Sequence, residues 1–182
     1  MKLDVALPIA EGWVKRLEPH CERVTIAGSL RRRKSNVKDL EILCIPRTVD
    51  SNQESLFGAS TVTSHRDPGF IRLFTQLPHQ DVMIEKGDPT QAKYIRLFLI
   101  PEKISLDLFI ATQKNWGYLL AVRTGPAEYS HRVLANKWVR QGYHGEAGYL
   151  TRGGQPVEIR EEEDLFDLLK MQYVEPENRH FP

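Results

Sequence analysis

The sequence predicts an α+β fold: a mixed, largely antiparallel sheet with helices on one face, followed by a smaller α+β unit. Three observations carry this. Short runs of β-branched and apolar residues recur through the first 115 residues, separated by Gly/Pro turn signals. Two helical patterns, one near the N-terminus and one after Asp67-Pro68, present apolar faces that must be buried. Beyond Thr112 the pattern changes to helix, glycine-punctuated hairpin and helix, so the boundary is set at 1–115 and 116–182.

Each element has a local cause. Pro8 suits a helix's first turn, and Ile9, Ala10, Trp13, Val14 and Leu17 give that helix its apolar face until Pro19 stops it. RVTIA (23–27) reads as a strand that runs into Gly28-Ser29, and LEILCIP as a second strand ended by Pro46. The polar stretch from Arg47 to about Ser64 reads as an exposed loop, with a short helix around Leu56 and Phe57. Asp67-Pro68 opens a helix carrying Phe70, Leu73, Phe74 and Leu77. DVMIEK, YIRLFLI and ISLDLFIA are three strands whose short connections fit antiparallel neighbours. Gly125-Pro126 precedes a helix to about Arg140, with Tyr129, Val133 and Trp138 facing inward. YLTR and PVEI flank Gly153-Gly154 as a hairpin. The acidic run Glu161–Asp164 opens a last helix, where negative charge meets the positive end of the macrodipole.

Composition narrows the function classes. The 182 residues are 41% hydrophobic and 27% charged, which supports a packed core, and the formal net charge of +1 confines any nucleic-acid contact to local patches. No run of about 18 apolar residues is present, so no membrane span is expected. The N-terminus, with Asp4 and Glu11 in and beside a short apolar run, does not read as a signal peptide. Cys21 and Cys44 do not make a disulfide framework and point to a reducing, cytoplasmic setting. The adjacent His20–Cys21 lacks the second ligand pair that a zinc site needs.

The chemistry concentrates in Gly28–Pro46. Residues i and i+2 of a strand share a face, so Asp39 and Glu41 project together while Leu40, Ile42 and Cys44 project the other way. Two adjacent carboxylates are reconciled by a divalent cation, and Mg²⁺, with its hard oxygen ligands and its habit of keeping substrate phosphates in its shell, is the ion expected, with Mn²⁺ as the alternative. At Gly28-Ser29 the backbone can approach a ligand closely, and the N–H groups opening the turn, with the serine hydroxyl, suit a phosphate. Arg31, Arg32, Arg33 and Lys34 add positive charge beside it. In ISLDLFIA one face is Ile104, Leu106, Leu108 and Ile110, and Asp107 lies opposite with Ser105 and Phe109. An acid in such a strand is costly unless paired or metal-bound. If this strand neighbours LEILCIP, the three acids form a two-metal arrangement, one ion on a triphosphate and the other activating a hydroxyl. Each feature taken singly has an ordinary reading: a turn, a solvated strand face, a solvated basic turn, a hydrogen-bonded buried acid. Their order along the chain argues for one site.

That order resembles the nucleotidyltransferase superfamily, and more closely the β-type (family X) DNA polymerases. GSLRRRKSNVKDLEIL resembles their palm motif and ISLDLFIAT their third-acid strand. RTGPAEYSHRVLANKWVRQGY is similar to their Thr-Gly turn and first thumb helix, and EIREEEDLFDLLKMQYVEPENR to their C-terminal helix and closing Tyr-x-x-Pro segment. The resemblance implies a palm over 1–115 and a thumb over 116–182. It implies Asp39, Glu41 and Asp107 as catalytic metal ligands, Gly28, Ser29 and Arg32 on the β and γ phosphates, and Thr124 and Gly125 beside the sugar. Arg123, with Arg31 and Arg33, is a candidate sugar or DNA contact. The partners implied are a nucleoside triphosphate and primer/template or gapped DNA.

Three departures accompany the resemblance. Glu41 stands where aspartate is usual, and Val122-Arg123 where an aromatic pair is usual. No helix-hairpin-helix glycine pattern precedes Gly28, which implies weak, salt-sensitive DNA binding and a role for an accessory DNA-binding protein. Nucleotidyl transfer to RNA, protein or a small molecule is the first alternative, and a degenerate nucleotide- or DNA-binding module the second.

Overall fold

The computed structural model describes residues 1–54, 60–78 and 80–180. Its main sheet has five strands: β1 (Cys21–Ile26), β2 (Asp39–Pro46), β5 (Val82–Lys86), β6 (Tyr94–Leu99) and β7 (Ile104–Ile110), in the order β1-β2-β7-β6-β5. Only β2 and β7 are parallel; every other neighbour is antiparallel. A parallel pair needs a long crossover, and here the crossover contains four strands and a helix.

The sheet's back face is apolar. Leu40, Ile42 and Cys44 of β2, Leu106 and Leu108 of β7, and Ile95, Leu97 and Leu99 of β6 pack against two helices. These are α1 (Leu3–Leu17), through Ala6, Ala10, Trp13 and Leu17, and α3 (Pro68–Thr75), through Phe70 and Phe74. On α3, Asp67 caps the start by accepting the Gly69 N–H, as its place before Pro68 predicts, and Leu77 falls beyond the helix end. The first helix starts earlier than its proline suggested. Pro8 lies inside α1, so burial of Ala6 on the preceding turn outweighs the lost N–H.

The segment from Arg47 to Ser64, expected as a loop, contains a ribbon of β3 (Thr48–Glu54) and β4 (Ser60–Arg66) in antiparallel register. Its polar residues on both faces hide the strand period that a half-buried strand displays. The helix expected around Leu56 and Phe57 lies outside the described residues.

After the sheet comes α4 (Trp116–Thr124), an element the sequence did not signal. Trp116, Gly117, Tyr118, Leu119, Leu120, Ala121 and Thr124 are all buried, so α4 has no polar stripe to reveal a helical period. It packs beside Leu43, Ile45 and Phe109 at the end of the sheet's front face. The next helix contains a π-helical stretch, Tyr129–Ala135, that continues into α5 (Asn136–Arg140). The wider turn places Leu134 in the core, with Val133 only partly buried. A three-stranded sheet follows: β8 (Tyr143–Glu146), β9 (Tyr149–Arg152) and β10 (Gln155–Val157). Gly153 and Gly154, at φ 57° and 75°, close the expected hairpin between β9 and β10. Helix α6 (Glu162–Leu168) starts on a capping box between Glu161 and Asp164. Among the described residues no helix is long and apolar enough to cross a membrane.

Candidate active site

The parallel pairing of β2 and β7 sets Glu41 opposite Asp107 and Asp39 opposite Ser105. The i, i+2 alternation that buries Leu40, Ile42, Leu106 and Leu108 in the back core puts all three acids on the front face. Asp107 is buried at 7% exposure; Asp39 and Glu41 are half-buried.

The acids differ in their partners. Asp107 accepts a hydrogen bond from the Tyr94 hydroxyl (2.8 Å), and Arg96 lies 3.5 Å from it. Asp39 and Glu41 receive no side-chain hydrogen bond among the described residues. Burial and the neighbouring charges of Asp39 and Asp107 push the Glu41 carboxyl up to about 7, against the pull of Arg123 and Arg32. Burial, aided by Asp39, also raises Asp107, while Tyr94, Arg96 and Arg123 oppose the rise. Such a face, half-buried and short of compensating donors, suits a cation.

Beside it, β1 ends in a one-turn helix, α2 (Gly28–Arg31), with Gly28 at φ 62°. The opening N–H groups of a helical turn have no intrahelical acceptor. The Ser29 hydroxyl and the Arg32 Nε are buried there without a hydrogen-bond partner among the described residues, so each has a donor to offer. The Glu41 carboxylate stands against Gly28, in the space a Cβ would take. As placed, no three acidic, His or Cys side chains among the described residues converge into a finished metal cage. Three carboxylates on one strand face are hard oxygen donors, a donor chemistry that fits Mg²⁺.

The basic run Arg31–Arg33 divides. Arg31 turns inward, donating to the Thr124 hydroxyl (2.8 Å) and, through two nitrogens, to Glu162 (2.9 Å each). Arg32 donates to the Thr124 carbonyl. Arg33 is exposed and pairs with Glu177 at 3.1 Å. Thr124 is fully buried at the end of α4, and Gly125 leaves room for Ser130, whose hydroxyl donates to the Val122 carbonyl. Arg123 lies with its guanidinium 4.0 Å from the Phe109 ring centroid, on the front face.

Two groups of residues escaped sequence reasoning. Tyr94 and Arg96 alternate with Ile95 and Leu97, so their shared face was legible, and the short turn after YIRLFLI made β6 and β7 antiparallel neighbours; the register that brings both side chains to Asp107 was not legible. Glu162, Arg179 and Tyr173 form a buried network with Arg31. Glu162 reads locally as one more first-turn acid.

Residues 120–180 match the family model for the DNA polymerase beta thumb. No curated protein matches the chain. Among solved structures, it is similar to the crystal structure of Leishmania infantum polymerase beta in a ternary P/T complex, with a TM-score of 0.65 and 17% identity. The match covers 99% of this chain and 76% of that one, so the likeness is one of fold along nearly the whole chain. The C-terminal third thus matches a polymerase beta thumb, and the chain shares the fold of a polymerase beta along nearly its whole length.

Proposed function

We propose that the chain adds a nucleoside monophosphate from a nucleoside triphosphate to a DNA 3′-hydroxyl and releases pyrophosphate, working as a palm (1–115) and a thumb (116–182). The observation that supports this best is the opposition of Glu41 and Asp107 on parallel strands, with Asp39 on the same face, beside the Gly28-Ser29 turn. Asp39, Glu41 and Asp107 would hold Mg²⁺, or Mn²⁺ in its place, which when bound neutralises the triphosphate and lowers the pKa of the attacking hydroxyl. Ser29 and Arg32 bring buried donors without partners to the β and γ phosphates. Gly28 lets them approach the backbone closely. Thr124, fixed by two arginines, and Gly125 border the sugar, with Arg123 beside them. The match of residues 120–180 to a polymerase thumb favours DNA as the acceptor over RNA, protein or a small molecule.

The test is primer extension on gapped DNA with Mg²⁺ or Mn²⁺, comparing dNTP with NTP and following pyrophosphate. Incorporation is expected. Its absence on every DNA and RNA substrate, with no pyrophosphate formed, rejects the polymerase reading. Asp107→Asn is expected to lose turnover and keep nucleotide binding, because Asp107 mainly serves the attacking hydroxyl; full activity would remove Asp107 from the site.

A further inference from the structure

Among the described residues, Asp107 is the one of the three acids that other side chains hold. Tyr94 sits two register pairs away on β6, opposite Phe109, and its hydroxyl reaches diagonally to Asp107 Oδ1 at 2.8 Å. Arg96, directly opposite Asp107, approaches the same oxygen at 3.5 Å. Oδ2 is left without a hydrogen bond among the described residues. Neither brace is loose. The Tyr94 ring stacks on Phe109, with centroids 5.3 Å apart and planes inclined by 25°. Arg96 is anchored from β5 by Glu85 at 3.1 Å.

A carboxylate rotates about its last bond with a broad, roughly two-fold preference, so an unbraced aspartate presents either oxygen. A donor fixed on one oxygen selects the other for a ligand. Groups that orient a metal ligand in this way typically change ion affinity or activity by about 10- to 100-fold when removed.

We infer that Tyr94, backed by Phe109 and assisted by Arg96, is a positioning residue that holds Asp107 in one orientation and reserves Oδ2 for the catalytic cation. The inference rests on the polymerase reading. It concerns a strand, β6, to which that reading gives no role.

The test uses the full chain and separates orientation from packing. Mn²⁺ binding is followed by electron paramagnetic resonance with a non-hydrolysable dNTP analogue and gapped DNA, and kcat and KM are measured in parallel. Tyr94→Phe keeps the ring on Phe109 and removes only the hydroxyl. The variant is expected to bind Mn²⁺ about 10- to 100-fold more weakly and to lose kcat to a similar degree, with the dNTP KM unchanged. Tyr94→Leu, which also loses the stack, should match it in Mn²⁺ binding and differ only in stability. Wild-type Mn²⁺ affinity and kcat in Tyr94→Phe overturn the inference and leave the polymerase reading standing. Wild-type chain that neither binds Mn²⁺ nor incorporates nucleotide overturns both.

Discussion

The Glu41 carboxylate occupies the space that a Cβ on Gly28 would need. The acid and the turn therefore share one volume, and on the proposed function a triphosphate seated on Gly28-Ser29 would displace Glu41. Gly28 also sits at φ 62°, which costs a residue with a Cβ roughly 1–2 kcal/mol. Gly28→Ala is expected to lower stability by about that amount and to raise the dNTP KM by about tenfold or more, because its methyl group and Glu41 compete for the phosphate side of the turn. Denaturant titration and steady-state kinetics check the two effects separately. A stability loss with an unchanged KM would place the triphosphate elsewhere.

Glu41 also predicts how stability depends on pH. Its carboxyl rises from an ordinary 4.5 to about 7 in the fold, through burial and the charges of Asp39 and Asp107. Between these values the native state binds more protons than the unfolded one, so this group's contribution is full below about 4.5 and is lost as pH rises through about 7. A bound cation favours the ionised form and reverses the loss. The rise in Tm on adding Mg²⁺ should therefore be larger near pH 8 than near pH 5. Glu41→Gln should flatten the metal-free profile and shrink the Mg²⁺ effect at the higher pH. Equal Mg²⁺ stabilisation at both pH values would separate Glu41 from the ion.

The legible and illegible parts of this molecule follow from the range of each interaction. The strand face shared by Asp39 and Glu41 is a two-residue property, and the sequence displays it. Which strand adjoins it is not, so the pairing of Glu41 with Asp107 came only from the fold. Strands β3 and β4 were read as a loop because their sequences are mostly polar at consecutive positions and show no apolar alternation. Helix α4 was missed for the opposite reason: burial nearly all round removes the polar stripe. Arg31 looked like one member of a basic surface run. Its partner Glu162 lies in the other unit, a relationship no local pattern encodes.

On the proposed function, Arg32 would couple the triphosphate to the Thr124-Gly125 turn. It donates to the Thr124 carbonyl, while its buried Nε has no partner. The planar fork of arginine can serve two acceptors at fixed angles, and a lysine cannot. Arg32→Lys is expected to raise the dNTP KM by about tenfold, with kcat also reduced, since the point charge reaches either the phosphate or Thr124 but not both. The split is read from nucleotide titrations at saturating DNA. An unchanged KM would confine Arg32 to holding Thr124.

The strongest stability prediction concerns Glu162, which is 2% exposed. It accepts two hydrogen bonds from Arg31 (2.9 Å each), one from Arg179 (2.5 Å) and one from the Tyr173 hydroxyl (2.9 Å). Arg179 is itself fully buried, with Phe166 and Tyr173 ring centroids 5.2 and 5.4 Å away. Without the glutamate, the buried Arg179 guanidinium and the partly buried Arg31 guanidinium lose their shared counter-charge, and removing one member of such a buried set costs about 3–5 kcal/mol. Glu162→Gln should lose about that much in urea unfolding at neutral pH, whereas Glu163→Gln, on the exposed side of α6, should stay within about 0.5 kcal/mol. Burial alone would raise the Glu162 carboxyl, but the hydrogen bonds from Arg179 and Arg31 outweigh it and hold it below its ordinary value. A depressed carboxylate contributes stability above its unfolded pKa and loses it as pH falls through the folded one. The gap between wild type and Glu162→Gln should therefore narrow in acid. Because Arg31 also holds the Thr124 hydroxyl, the same variant should raise the dNTP KM at temperatures where it is still folded. A variant as stable as Glu163→Gln would show that the two units are held together without this network.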